Sequence, residues 1–303
     1  MSPQAKLEET PLVLPQAAGV DIPVEPRPRW WLELWLLIPA FAFLAVLFAY
    51  PMLDMFLRSL SGPAGPSLVH YRWILMHPIY LRIFWITFEI AATTTVLTLM
   101  LGYPLAYALS TARGAAAAIL MVCILIPFFT DILVRTYAWM VILGPDGLLN
   151  QTLRALGVAP VTLLYNRYGV LIGMSYALLP YMVLTLYSVM RGIDPSLLRA
   201  ARSLGAGDWQ VFRRVYLPLS LPGLAGGSLL VFILALGYFI TPRLLGGMHD
   251  QMIAMVIEQQ VELALNFNLA SALAIILLIV TIAGFVLYDR LLGLKTLFES
   301  KLP

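Results

Sequence analysis

Residues 215–242 read VYLPLSLPGLAGGSLLVFILALGYFITP, and no Asp, Glu, Lys or Arg interrupts them. A helix crosses the ~30 Å hydrocarbon core of a bilayer with about 20 apolar residues, so this stretch alone is long enough to span. Residues 34–53, 90–112, 168–190 and 263–288 are free of charge as well, and 114–144 is broken only by Asp131 and Arg135. β-Barrel strands would show short segments of alternating polarity instead. The sequence predicts an all-α, polytopic membrane protein with six transmembrane helices.

Composition agrees. Of 303 residues, 61% are hydrophobic and 12% charged, with a mean hydropathy of +0.87; a soluble domain is nearer half apolar and a quarter charged. A soluble enzyme is excluded on that ground. The 21 Gly and 21 Pro carry no period, which excludes a fibrous chain, and the apolar excess excludes a disordered one. Cys123, the single cysteine, cannot close an internal disulfide and, lying in an apolar run, reads as a small buried hydrophobe.

Residues 1–33 mix Lys6, Glu8, Glu9, Asp21 and Glu25 with prolines and read as a tail rather than a signal peptide. Residues 34–303 then form the transmembrane domain. Lys and Arg concentrate in cytoplasmic loops. With the N-terminus inside, Lys6, Arg27, Arg29, Arg113, Arg191, Arg199, Arg202, Arg213, Arg214, Arg290, Lys295 and Lys301 fall on the cytoplasmic side. Arg58, Arg72, Arg82, Arg154, Arg167 and Arg243 fall outside. This imbalance places both termini in the cytoplasm and makes 57–82, 144–167 and 244–268 outer loops. The net charge of +3 is a topology signal, and no basic, aromatic groove points to nucleic acid. His70, His77 and His249 have no metal-ligand spacing and read as loop residues. Trp30, Trp31 and Trp35 read as interface anchors.

The loop between the fourth and fifth spans is richest in pattern. Asp194 followed by Pro195 is an N-cap with proline at the first helical position, and Gly205 suits the C-terminal stop. Leu197, Ala201 and Leu204 share a face, with Leu198 alongside. Asp208 is placed to cap a second short helix carrying Trp209, Phe212 and Tyr216, which Pro218 ends. From the residues alone, the loop is either an interfacial amphipathic hairpin or a docking site for a partner.

Its spacing adds more. Arg199-Ala200-Ala201, then Gly205, then Val215-Tyr216-Leu217-Pro218 resembles the EAA loop of binding-protein-dependent ABC importer permeases. Gly102–Ala108, Pro127–Trp139, Gly147–Asn150, Tyr176–Pro180 and Gly237–Pro242 further resemble the B-type permeases of spermidine/putrescine importers, over residues 87–247. The resemblance implies the type I ABC importer permease fold and import of a small solute, such as a polyamine or a related amine or amino-acid-derived compound. It implies that loop 191–218 seats coupling helices in a cytoplasmic ABC ATPase dimer through Arg199, Ala200, Ala201, Gly205, Leu217 and Pro218. The family's usual glutamate is Arg199 here, which calls for a more acidic partner groove. Also implied are a related, non-identical second permease and a periplasmic or lipid-anchored solute-binding protein. ATP and Mg would be used by the ATPase; this chain has no phosphate-cradling glycine loop with lysine, so it is expected to bind no cofactor and to be no enzyme.

Charges within spans are costly and usually functional. Asp131 and Arg135, four residues apart, are either a self-neutralised pair or part of a substrate path. Glu89 is either structurally hydrogen-bonded or attracts substrate. A cationic solute gains from carboxylates and ring faces, which Glu89, Asp131, Tyr137, Trp139 and Tyr238 would supply. A rival reading is an ion-coupled secondary transporter relaying through Glu89, Asp131 and Arg135; it leaves the loop from Arg199 to Pro218 unexplained.

Overall fold

The computed structural model describes residues 37–39, 41–62 and 65–292. The tail at 1–33, Trp30, Trp31, Trp35, Lys295 and Lys301 lie outside the described residues. The described residues up to 51 belong to one unit and those from 52 on to a second; the site residues all belong to the second.

Six helical runs are long and apolar enough to cross a membrane: Leu37–Ser59, Pro78–Thr111, Ile132–Ala155, Arg167–Arg191, Asp208–Leu236 and Phe267–Val286. In chain order the elements are α1 (Leu37–Ser59), a hairpin of β1 (Ser61–Gly62) and β2 (Gly65–Pro66), α2 (Val69–Met76), α3 (Pro78–Thr111), α4 (Ala115–Phe129), α5 (Ile132–Leu143), α6 (Leu148–Ala155), α7 (Arg167–Arg191) and α8 (Pro195–Ser203). They continue with α9 (Asp208–Leu236), α10 (Ile240–Leu245), α11 (Ile253–Glu262) and α12 (Phe267–Leu292).

Helices α3, α7 and α9 form the centre. Their core holds Ile90, Ala91, Met174, Leu178, Met182, Leu186, Val231 and Ala235, all buried. In lipid no hydrophobic drive pulls helices together, so close packing through small residues does. A Cβ on Gly102 of α3 would lie 2.9 Å from Met182 Cγ, and one on Gly227 of α9 would lie 2.9 Å from Met182 Sδ. Met182 is thus wedged between both glycines. Gly223 packs the same way on Val189. Since Glu89 meets Arg167 and Gly102 meets Met182, α3 and α7 run parallel; α9 runs against them. A second cluster joins α2, the start of α3, α11 and α12 through Ile74, Ile83, Phe84, Ile253, Val256 and Leu273. Thr87 ties it down by donating to the Ile83 carbonyl and accepting from the Ile253 N–H, both at 2.8 Å.

Several boundaries differ from the sequence expectation. The third span, 114–144, is two helices broken at Thr130-Asp131, because Asp131 caps a new helix and the chain is extended at Thr130 (ψ 134°). The fifth ends at Leu236; Gly237–Phe239 breaks it before α10. The second begins twelve residues before Ile90, at Pro78, and residues 263–266 precede α12 rather than belong to it. All three loops that the Lys and Arg pattern assigns to the outside contain helices, α2, α6 and α11, the last burying Ile253, Met255 and Val256. Cys123 is exposed, not buried: of α4 only Ile124 is buried, and Cys123 lies on its exposed side.

Candidate functional site

Loop 191–218 is a rigid hairpin of short helices. The Asp194 carboxylate accepts the Ser196 N–H at 2.8 Å; the Ser196 side chain and this N–H together stabilise its ionised form and hold its pKa below the ordinary value of 3.8. α8 ends in two bonds, Gly205 N–H to Arg202 O at 2.9 Å and Ala206 N–H to Ala201 O at 3.2 Å. This Schellman arrangement needs a left-handed residue, where glycine is favoured; Gly205 has φ +86°. Asp208 does not cap the second helix: Gly207 is the capping residue, and the Asp208 carboxylate accepts from Arg202 Nε at 3.0 Å. Nor does Pro218 end that helix. Lacking an N–H, Pro218 is accommodated by a π-helical turn at Phe212–Tyr216, closed by Leu217 N–H to Phe212 O, and the helix runs on into the span.

One side of the hairpin is anchored. Phe212 and Tyr216 pack edge-on against Tyr107 of α3, at 6.2 and 5.1 Å between ring centres, and Ser110 Oγ lies 3.0 Å from the Tyr216 hydroxyl. The other side is bare. Leu204 is 88% exposed, Leu197 is about half-exposed, and Trp209 is 69% exposed although one face of its ring stacks on Phe212 at 5.7 Å between ring centres; Arg199 and Ala200 are exposed with them, and a Cβ on Gly205 would meet nothing within 4 Å. Leu217 is half-buried and Pro218 exposed.

At the break between α4 and α5, Asp131 and Arg135 do not pair with each other. Asp131 Oδ1 accepts the N–H groups of Leu133 (2.8 Å) and Val134 (3.3 Å), satisfying donors that a helix start leaves orphaned. Arg135 Nη1 donates to the Pro127 carbonyl at 2.5 Å, satisfying an orphaned acceptor at the end of α4. The two charges splice the break. Tyr238 belongs to the break after α9, with Arg135 and Thr241 in its neighbourhood, while Thr136 and Thr241 hydroxyls lie 3.3 Å apart.

Trp139 packs edge-on against Tyr176 at 5.4 Å and borders a cleft of about 320 Å³ between α3, α5 and α7. Tyr137, on another face of α5, is exposed. Glu89 is paired: its Oε1 accepts from Arg167 Nη1 at 2.5 Å, and Arg167 Nε lies 3.5 Å from Asp250 Oδ1. The structure therefore brings Arg135 and Tyr238 together, sets Trp139 beside Tyr176, and leaves Tyr137 apart. Arg167, Asp250 and an Arg243–Glu258 ion pair were not singled out from sequence as site residues; partners as far apart as residues 89 and 167 leave no local pattern to find.

These features define a multi-pass helical permease: broken helices around a closely packed centre, and one helical hairpin left open to a partner. Residues 98–294 match the family model for the binding-protein-dependent transport system inner membrane component, and the chain belongs to that family. It is the permease component of an ABC importer, and the family gives no support to the ion-coupled alternative. Spermidine/putrescine transport system permease protein PotB of Haemophilus influenzae is 35% identical over 89% of this chain and 94% of its own length. PotB of Escherichia coli is 35% identical over 74% and 84%. The inner membrane ABC transporter permease protein YdcU of Escherichia coli is 31% identical over 68% and 70%. Among solved structures, a bacterial ABC transporter involved in the import of the acidic polysaccharide alginate superposes with a TM-score of 0.69 over 88% of this chain and 96% of its own, at 17% identity. The MetNI methionine ABC transporter superposes with a TM-score of 0.56 over 73% and 95%, also at 17%. The fold is that of type I ABC importer permeases.

Proposed function

We propose that this chain forms half of the pore of an ATP-driven importer of a small amine, a polyamine such as spermidine or putrescine or a related amine or amino-acid-derived compound. The cargo follows from the 35% identity to PotB permeases. The other half is a related, non-identical permease, and a periplasmic or lipid-anchored solute-binding protein delivers cargo. Both termini lie in the cytoplasm, as the distribution of Lys and Arg favours.

The observation that carries the reading is the bare side of loop 191–218. An apolar face held at a fixed angle and left without cover marks a partner site. Arg199, Ala200, Ala201 and Gly205 seat in an ABC ATPase dimer, and Leu217 and Pro218 pass its motion to α9. ATP and Mg belong to that partner; this chain holds no cofactor, performs no catalysis and works by alternating access. Glu89 and Trp139 front the cargo path, with Tyr137 at its edge. Asp131 and Arg135, with Tyr238 beside them, hold the break that shapes it.

Uptake of labelled spermidine into vesicles carrying the assembled system tests this. ATP drives uptake and an imposed proton gradient alone does not. Uptake driven by the gradient without ATP would overturn the reading.

A further inference from the structure

Three arginines gather at the root of loop 191–218. Arg113 directly follows the charge-free run 90–112 at the end of α3, and Arg213 and Arg214 directly precede the charge-free run 215–242 of α9. The two helix ends are joined there. Ser110 Oγ lies 3.0 Å from the Tyr216 hydroxyl, and Tyr107 packs edge-on against Phe212 and Tyr216. Arg113 is three residues past Ser110, while Arg213 and Arg214 are three and two before Tyr216, so each stands within about one helical turn of that contact.

All three side chains are exposed, and none has a carboxylate partner among the described residues. The two acids of the loop are already engaged, Asp208 by Arg202 and Asp194 by the cap of α8. The patch therefore offers guanidinium donors and positive charge without a counter-charge, and its complement is an anion rich in oxygen. Position decides the source of that anion. Charge-free spans end where the hydrocarbon ends, so the patch stands at the level of the headgroups. Just inside it the surface is apolar and exposed, at Ile119 and Val122 of α4 and at Leu219 and Leu221 of α9, as acyl chains require. The turn at Leu204 and Gly205, where an ATPase seats, lies before the start of α9 at Asp208, about 8 Å further along that helix from the span than Arg213. A zwitterionic headgroup would bring its ammonium against guanidiniums; an anionic one brings no such clash.

We propose that this patch binds the phosphate of an anionic phospholipid: Arg113 and Arg213 hold its oxygens, Arg214 adds a flanking charge, and the acyl chains lie on the exposed apolar surface beside them. The bound phosphate bridges the end of α3 to the π-helical turn at Phe212–Tyr216 and so steadies the root of the hairpin. Nothing in this site depends on which solute is carried.

The test is lipid selectivity at a reporter beside the patch. Ala115→Cys, exposed at the start of α4, is placed on a Cys123→Ser background and labelled with NBD, and the assembled transporter is set in phosphatidylcholine nanodiscs. Quenching by nitroxide-labelled phosphatidylglycerol is compared with quenching by nitroxide-labelled phosphatidylcholine. Phosphatidylglycerol is preferred by about tenfold or more, and Arg113→Gln or Arg213→Gln each lowers that preference about fivefold, the factor for ~1 kcal/mol per arginine at an anionic surface. Arg213→Lys, which keeps the charge, retains most of it. Arg290→Gln removes the same charge at the end of α12, where Tyr288 bonds the Ala225 carbonyl, about 16 Å along α9 from Arg214, and leaves the preference unchanged. Equal quenching by the two lipids would overturn the site, and so would an equal loss in Arg290→Gln, which would reduce the effect to general surface charge. A preference seen in this chain alone but absent once the ATPase is assembled would show that the ATPase covers the arginines and overturn it. Loss of the preference on adding soluble glycerol 3-phosphate would make it a site for a free phosphate ester and overturn it as well.

Discussion

Arg202 Nε donates to Asp208 Oδ1 at 3.0 Å, joining α8 to the start of α9 across the Gly205 turn. Both side chains are more than half exposed, so the pair adds at most about 1 kcal/mol to stability. Its effect is on geometry: it fixes the angle at which the bare face of α8 meets a partner. Arg202→Asp is expected to slow uptake with little loss of protein from the membrane, and adding Asp208→Arg to restore it. Uptake rates at matched expression check this; a double variant no better than the single would separate the pair from coupling.

The break between α4 and α5 is expected to depend on hydrogen bonding rather than charge at Asp131. Asp131→Asn keeps the acceptor that caps Leu133 and Val134 and leaves the KM for amine uptake unchanged. Asp131→Ala destabilises by about 0.5–2 kcal/mol, the range for a lost N-cap. Arg135→Ala orphans the Pro127 carbonyl at about 1–3 kcal/mol. Thermal aggregation of detergent-solubilised protein measures the losses. A large rise in KM for Asp131→Asn would instead make the carboxylate a cargo ligand.

Met182 receives glycines from two helices. Gly102→Leu should cost about 1–3 kcal/mol by overpacking, and Met182→Ala in the same chain should recover part of it. The aggregation midpoint of single and double variants gives the coupling; strict additivity would contradict the wedge.

Asp194 makes the start of α8 sensitive to acid. Its folded-state pKa lies below the ordinary 3.8 because the Ser196 side chain, and then the Ser196 N–H, bond the ionised form. The cap is fully present above the unfolded value and is lost as pH falls through the folded one. Exchange protection of the Ser196 amide, relative to Asp194→Asn at each pH, should therefore fall only in that acid window. A ratio flat with pH would refute the cap as the source of the shift.

The spans were readable because composition alone decides them: 215–242 carries no charge over more than a bilayer's width. The stop at Gly205 and the cap at Asp194 were readable because each is a local rule about one backbone position. The break at Asp131 was not. Asp131 and Arg135 are spaced like an i,i+4 ion pair, and only tertiary structure shows each serving a different helix end. Asp208 was assigned to a cap that Gly207 occupies, because the distant Arg202 competes for the carboxylate. Glu89 is visible in the sequence as a costly charge, but its partner Arg167 comes from α7, and Asp250, which also pairs with Arg167, from the loop before α11. The helix at Ile253–Glu262 was hidden in a loop read by its turn formers.

The central claim is that loop 191–218 couples this permease to an ATPase, and Gly205 tests it most directly. A Cβ there meets no neighbour, so Gly205→Asn, which tolerates φ near +86°, should retain function; other L-residues pay about 1–2 kcal/mol in the left-handed region. Gly205→Trp places a large ring on the bare face. Substrate-stimulated ATP hydrolysis by the reconstituted system is the measurement: Gly205→Trp should abolish it while the chain remains in the membrane at normal amount, and normal stimulation in that variant would contradict the account.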